Sequence, residues 1–239
     1  LDLKKSIFQM TPAQKKCVEI LRAMMSDCKL MILDEPTASL SDKEANLLFS
    51  IIKNLKAKGT AVLYVTHRLE EIMALTDRVT VLRNGELVST CDTDSTSQKE
   101  LVRLMSGNEK ENGLEMEISR ANMSGGDISG GATSEIGISE TNASKTNSSA
   151  VNILASATTN AHSGTPALTI SHLSSANHIV KDASITVHTG RITGMFGLCG
   201  SGRTEFLECI YGIRRISGGT IEINEELIKK PTPVDSMKK

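Results

Sequence analysis

The chain has 239 residues, of which 39% are hydrophobic and only 3% aromatic, and its formal net charge is -1. That length could hold one large domain or two small ones, and the balanced charge gives no electrostatic case for binding nucleic acid. No apolar run is long enough to span a bilayer, and the five cysteines lack any Cys-x-x-Cys pair, which indicates reduced thiols rather than a metal site.

A first helix is predicted from Pro12 onward, and its start carries three agreeing signals. Thr11 is a favourable N-cap, Pro12 suits the first helical position, and Gln14 completes a capping box. Apolar residues at helical spacing predict a buried face made of Ala13, Cys17, Ile20, Leu21 and Met24. A helix N-terminus can bind an anion, but this segment taken alone is equally typical of an ordinary capped amphipathic helix.

An apolar strand follows and ends in two adjacent carboxylates. Residues 30–33 suit a buried parallel strand, and Asp34 and Glu35 come directly after it. Ligands bind at the carboxyl ends of strands in open α/β sheets. There one acid can hold Mg²⁺ while its neighbour polarises a water, as phosphoryl transfer requires. The competing interpretation is a strand that ends in a solvated acidic turn.

The next unit is a helix and a second buried strand. Ser41 and Glu44 form another capping box, and the predicted buried face of the helix consists of Leu47, Leu48, Ile51, Ile52 and Leu55. The strand at 61–65 leads into His67. Because this strand comes one strand–helix–strand unit after the acids, we expect His67 at the same edge of the sheet as those acids.

The middle of the chain changes character. Asn84-Gly85 predicts a type I′ hairpin turn, and residues 97–105 predict a short capped helix. In residues 108–166, Ser, Thr, Asn, Gly and Ala dominate and no period lasts. Such a composition cannot bury enough apolar surface to offset chain entropy, so it predicts a flexible linker.

A glycine-rich turn lies between a predicted strand and a predicted helix in the last third. Residues 197–204, GLCGSGRT, fit the pattern GxxxxG[K/R][S/T], in which backbone amides curl round phosphates. Arg203 stands where Lys is usual and keeps the positive charge on a planar fork. The candidate phosphate ligands are Gly197, Gly200, Ser201, Gly202, Arg203 and Thr204. Three strands are predicted before this turn, at 168–170, 183–187 and 191–196.

In their order, these motifs resemble the tandem ATP-binding subunits of ABC importers for ribose, galactose, xylose or autoinducer-2. Residues 29–42 resemble the Walker B and D-loop segment, and His67 resembles the switch histidine. Residues 10–14, MTPAQ, stand where the family has its LSGGQ signature, without the glycines. Residues 197–204 resemble the Walker A motif of the second half of the family's chain.

The resemblance implies an α/β fold of the P-loop NTPase type, with a mostly parallel sheet, flanking helices and two partial nucleotide-binding domains. Residues 1–107 would be the C-terminal part of the first domain, 108–166 the linker, and 167–239 the N-terminal part of the second. The chain starts abruptly at LDLKK, so we expect a fragment.

The resemblance also implies roles for single residues, with ATP and Mg²⁺ as ligands. The catalytic residues would be Glu35 and His67, the metal ligands Asp34 and Thr204, and further nucleotide contacts Thr11, Ala13 and Gln14. The acids and His67 would serve a site whose P-loop precedes residue 1, whereas 197–204 would face the signature. The isolated chain is therefore expected to bind nucleotide weakly and not to turn over.

The expected partners are membrane permease subunits and a solute-binding protein, with no nucleic acid, at the cytoplasmic face of the cell membrane. ATP hydrolysis would drive uptake of a monosaccharide or similar small polar solute. Two alternatives stay open: a non-transport ABC ATPase, and a non-catalytic remnant or regulatory nucleotide-binding module. The first would be expected to show a basic helical insertion or a coiled coil, and neither is visible.

Overall fold

A computed structural model describes residues 6–25, 28–107, 164–228 and 231–232. The helices are α1 Pro12–Met25, α2 Asp42–Ala57, α3 Leu69–Leu75, α4 Gln98–Ser106 and α5 Arg203–Tyr211, and short 3₁₀ turns cover Ile7–Gln9 and Thr93–Ser95. The strands are β1 Leu30–Asp34, β2 Ala61–Thr66, β3 Arg78–Arg83, β4 Glu86–Asp92, β5 Pro166–Ser175, β6 Ala183–His188, β7 Ile192–Phe196, β8 Ile216–Ile223 and β9 Glu226–Leu227. Most of the predicted linker, residues 108–163, lies outside the described ranges.

Two sheets organise the described residues. The larger has the order β1-β2-β7-β3-β4, in which only β4 is antiparallel to its neighbour. The smaller sheet, β6-β5-β8-β9, is antiparallel. The predicted α/β class, with a mostly parallel sheet and flanking helices, is confirmed. None of the helices in these ranges is long and apolar enough to cross a membrane.

The central strands β2 and β7 of the larger sheet are buried at every position. Val62 and Tyr64 of β2 pack with α2 on one face, whereas Leu63 and Val65 pack with α5 and the smaller sheet on the other. A third cluster joins α3 and α4 to β3. Parallel strands covered on both faces are expected to be continuously hydrophobic, as these are.

Strand β7, from the last third of the chain, lies between β2 and β3, which precede the linker. Asp77, directly before β3, holds the start of β7 next to β3 through two hydrogen bonds. Its N–H donates to the carbonyl of Ile192 (2.8 Å), and its Oδ2 accepts the N–H of the same residue (2.8 Å). Lys56 Nζ donates to Oδ1 of Asp77 at 2.5 Å. The two parts of the chain on either side of the linker therefore form one sheet.

This arrangement predicts that Asp77→Ala destabilises the fold by about 2–3 kcal/mol, because a backbone N–H and an ammonium group lose a partly buried carboxylate. Urea unfolding followed by circular dichroism measures the change. Arg103→Ala is the control, since it breaks an exposed pair with Glu100 (3.5 Å) and should cost less than about 1 kcal/mol. Equal losses for the two variants would contradict this role of Asp77.

The predicted buried face of α2 is largely right, and each of the two predicted faces contains one error. The buried face of α2 consists of Ala45, Leu48, Ile52 and Leu55, whereas Leu47 is 58% exposed. In α1, Ile20 is buried but Leu21 is 41% exposed. The other predicted members of that face, Ala13, Cys17 and Met24, lie outside the side chains that the structure describes. Both errors concern a leucine adjacent in sequence to a buried residue, and adjacent helical positions are rotated about 100° apart. Hydrophobic identity alone does not say which of the two turns inward.

Candidate functional site

Three strands bring the predicted catalytic residues and the start of the glycine-rich segment to one edge of the larger sheet. In the parallel register, Asp34 of β1 pairs with Val65 of β2, and Thr66 of β2 pairs with Phe196 of β7. The residues that follow these strands are Glu35, His67 and Gly197. The acids, His67 and the glycine-rich loop (197–202) therefore share one site, which differs from the expectation that they serve separate sites. The reason is the pairing of β7 with β2.

Glu35 contacts side chains from both parts of the chain. Its Oε1 accepts a hydrogen bond from Nη2 of Arg203 at 2.9 Å and lies 2.9 Å from Nδ1 of His67. Arg203 is 7% exposed, and its ion pair with Glu35 spans 168 positions of sequence. A cationic phosphate-binding candidate is thus held against the predicted catalytic carboxylate.

The two adjacent acids have different environments, which shift their pKa values in opposite directions. The hydrogen bond from His67, followed by the charges of His67 and Arg203, lowers the pKa of Glu35, so its carboxylate is ionised at neutral pH. Desolvation, followed by the charge of Glu35, raises the pKa of Asp34, and Arg203 and Lys16 oppose that rise. A cation bound at Asp34 would favour its ionised form.

The backbone of Glu35 is held in an unusual conformation. Its φ is +40°, in the left-handed region, and the next residue is Pro36. Non-glycine residues rarely adopt this region, and it persists where the surrounding structure over-determines it. Here the N–H of Glu35 donates to the carbonyl of Val65 (2.9 Å) and its carbonyl accepts from Ala38 (3.3 Å).

The glycine-rich loop has the shape and the unused donors that a phosphate site needs. A Cβ on Gly197 would lie 2.4 Å from the carbonyl oxygen of Leu82 and 2.6 Å from Oγ of Ser201, so only glycine fits. Ser201 Oγ and Arg203 Nη1 are buried without a hydrogen-bond partner among the described residues. Gly202 has a φ of +98° and is the N-cap of α5. These features fit bound phosphate oxygens.

The candidate metal ligands are Asp34, which is exposed at the end of β1, and Thr204, which is exposed in the first turn of α5. Across the described ranges, no group of three or more His, Cys, Asp or Glu could hold a metal ion. Magnesium commonly needs only one or two protein ligands beside phosphate and water. The donor set, one carboxylate and one hydroxyl beside a phosphate cradle, fits Mg²⁺.

The residues at the signature position cap a helix. The N–H of Gln14 donates to Oγ1 of Thr11, and the N–H of Thr11 donates to Oε1 of Gln14, both at 3.2 Å. The capping box predicted from sequence is therefore present. Ala13 lies in the same first turn of α1. Their contact with nucleotide stays a prediction.

Sequence reasoning missed a buried acid behind the site. Glu71 in α3 is 4% exposed and accepts hydrogen bonds from Thr37, Tyr64 and Thr66. The spacing of Glu71 could have revealed it. A carboxylate four residues before Leu75 lies on the same, apolar face of the helix.

Three curated proteins illustrate what this chain is similar to. It is 33% identical over 238 residues to the ribose import ATP-binding protein of Lactococcus lactis subsp. cremoris, in a match that covers 100% of this chain and 39% of that protein. It is 32% identical over 239 residues to the D-allose import ATP-binding protein of Escherichia coli K12, covering 100% and 40%. It is 29% identical over 239 residues to the galactose/methyl galactoside import ATP-binding protein of Fusobacterium nucleatum, covering 100% and 39%.

The chain thus spans about two fifths of the length of the curated relatives it matches. No protein-family model matches it, and no solved structure matches it.

Proposed function

We propose, for a chain related over its whole length to the ATP-binding proteins of sugar importers, that the described residues bind ATP and hydrolyse it to drive solute uptake. The observation that carries the proposal is the 2.9 Å contact between Arg203 Nη2 and Glu35 Oε1. It joins a phosphate-binding loop to a pair of acids at the carboxyl edge of a mostly parallel sheet, as in a P-loop NTPase.

The candidate site residues have distinct roles in this proposal. The glycine-rich loop and Arg203 bind the phosphates, and bound Mg²⁺, held by Asp34 and Thr204, would offset their negative charge. Glu35, ionised at neutral pH, accepts a proton from the attacking water, and His67 orients Glu35 through the Nδ1–Oε1 contact. Arg203 exchanges its contact with Glu35 for the phosphates when nucleotide binds.

The importer supplies the wider context of the proposal. The transported solute is a monosaccharide or a similar small polar molecule, and the partners are membrane permease subunits and a solute-binding protein. The protein would lie peripherally at the cytoplasmic face of the membrane. As the sequence predicts, residues 1–107 and 167–239, joined by 108–166, would derive from parts of two nucleotide-binding domains of a longer protein, and in this chain the two parts pair in one sheet.

A second candidate function is nucleotide binding without turnover, as in a regulatory module. The observation that favours it is the engagement of Glu35 Oε1 by both Arg203 and His67, because a carboxylate oxygen held by two such partners is a weak base.

Phosphate release from Mg²⁺-ATP by the purified chain tests the proposal. Glu35→Gln is expected to lower it by about a hundredfold or more, because the amide cannot accept the proton, while ATP binding followed with a fluorescent analogue is retained. Binding without phosphate release by the unaltered chain would support the regulatory module. Absence of binding would refute both functions.

A further inference from the structure

One buried carboxyl group behind the site has no part in the proposed chemistry. Glu71 is 4% exposed in α3, whereas the neighbouring Glu70 is exposed. Burying a carboxylate is unfavourable unless hydrogen bonds or an opposite charge compensate it. The residues that compensate Glu71 therefore show what the group connects.

Both carboxylate oxygens of Glu71 are fully used. Oε1 accepts a hydrogen bond from Oγ1 of Thr37 at 2.6 Å and forms an ion pair with Nη1 of Arg68 at 3.0 Å. Oε2 accepts from the hydroxyl of Tyr64 at 2.8 Å and from Oγ1 of Thr66 at 3.0 Å. Tyr64, Thr37 and Thr66 are themselves buried, so the three hydroxyl contacts are shielded from water, whereas the Arg68 side chain is 45% exposed.

The four donors come from the two segments that carry the predicted catalytic pair. Thr37 lies two residues after Glu35, in the turn that follows β1. Thr66 and Arg68 flank His67 on either side, and the N–H of Arg68 also donates to Oγ1 of Thr66 at 3.0 Å. One carboxylate thus holds both the acidic turn and the histidine loop.

The conformation of Glu35 needs such support. A φ of +40° directly before Pro36 is unfavourable for a residue with a Cβ. If the turn relaxed, Glu35 would move away from His67, with which its contact is 2.9 Å long. Displacements of about 1 Å can lower rates about a hundredfold.

We infer that Glu71 is a positioning residue, which sets Glu35 and His67 relative to each other through Thr37, Thr66 and Arg68. This inference rests on the proposed function for its effect on catalysis, and on geometry alone for its effect on structure. A merely structural role would stabilise the whole fold without acting on these two segments in particular.

Amide hydrogen exchange of the full chain tests the structural part without any activity. In Glu71→Ala, the amide exchange rate is expected to rise about tenfold or more in residues 35–40 and 66–68. The exchange rates in β3 should not change. Glu71→Gln, which keeps the packing and some hydrogen bonds, should show a smaller rise in the same segments. A uniform rise across the chain, or none, would overturn the inference.

Thr93→Val is the matched control. It removes a buried hydroxyl that lies 2.8 Å from Oγ1 of Thr76, at the other end of α3. Its exchange in 35–40 and 66–68 should equal that of the unaltered chain. Thr37→Val should reproduce the local rise of Glu71→Gln, and the two changes combined should be less than additive because they break one contact.

Kinetics test the catalytic part. Glu71→Gln is expected to lower kcat for ATP about tenfold or more while the Kd for the fluorescent ATP analogue stays within about twofold. An unchanged kcat, or a kcat and Kd that shift together, would overturn the positioning role. Absence of nucleotide binding by the unaltered chain would instead refute the proposed function, and hydrogen exchange would still decide whether Glu71 holds the two segments.

Discussion

Arg203→Ala is expected to weaken ATP binding by about 2–3 kcal/mol, which is about 30- to 150-fold in Kd. The variant loses a buried cation that directly follows the glycine-rich loop, and both Arg203 Nη1 and Ser201 Oγ lack a hydrogen-bond partner among the described residues. Titration of a fluorescent ATP analogue measures the change. Arg203→Lys should retain most of the affinity, because a point ammonium can replace the guanidinium on phosphate.

The charge-matched control is Arg214→Ala. Arg214 pairs with Glu208 at 2.6 Å and not with the glycine-rich loop. Its loss changes the net charge by the same amount as the loss of Arg203 and leaves that loop intact. Its Kd should stay within about twofold of the unaltered value, as expected for a remote charge screened by salt. Equal weakening by both alanine variants would show that net charge, and not the loop, determines binding.

Gly85→Ala is expected to destabilise the fold by about 3–5 kcal/mol, near the upper end for a single substitution. Gly85 has a φ of +82°, and a Cβ there would lie 1.6 Å from the carbonyl oxygen of Ile179. Its N–H donates to the carbonyl of Ser201 (2.8 Å), and its own carbonyl accepts from Lys181 (2.7 Å). The β3–β4 hairpin turn therefore holds the glycine-rich loop, and the urea midpoint should fall sharply.

Gly59→Ala separates the clash from the backbone conformation. Gly59 has a similar φ of +92°, but no heavy atom beyond its chain neighbours lies within 4 Å of the position that a Cβ would take. Only the cost of the left-handed conformation remains, about 1 kcal/mol. The difference between the two variants measures the clash between the β3–β4 hairpin turn and the backbone of Ile179. Equal midpoints would mean that the turn shifts away from Ile179 at no cost in stability.

Features governed by short-range chemistry could be predicted from the sequence. The capping boxes at Thr11 and Ser41 form as expected, and Asn84 and Gly85 both take the positive φ of a type I′ turn. The strand before Glu35 and the helix after the glycine-rich loop also stand where the pattern put them. Each depends on residues within a few positions of one another, so a local pattern contains all the information needed.

Which segments share a site could not be read from such patterns. Strand β7 is buried throughout, so it shows no alternation that would identify its neighbours, and its pairing with β2 joins parts of the chain on either side of the linker. That pairing brings Arg203 to Glu35, and the same fold buries Glu71 against Thr37. Contacts between residues so distant in sequence leave no local period. Local patterns could thus identify the glycine-rich loop, the acids and the histidine as separate candidates. Long-range strand pairing brings them together in one site.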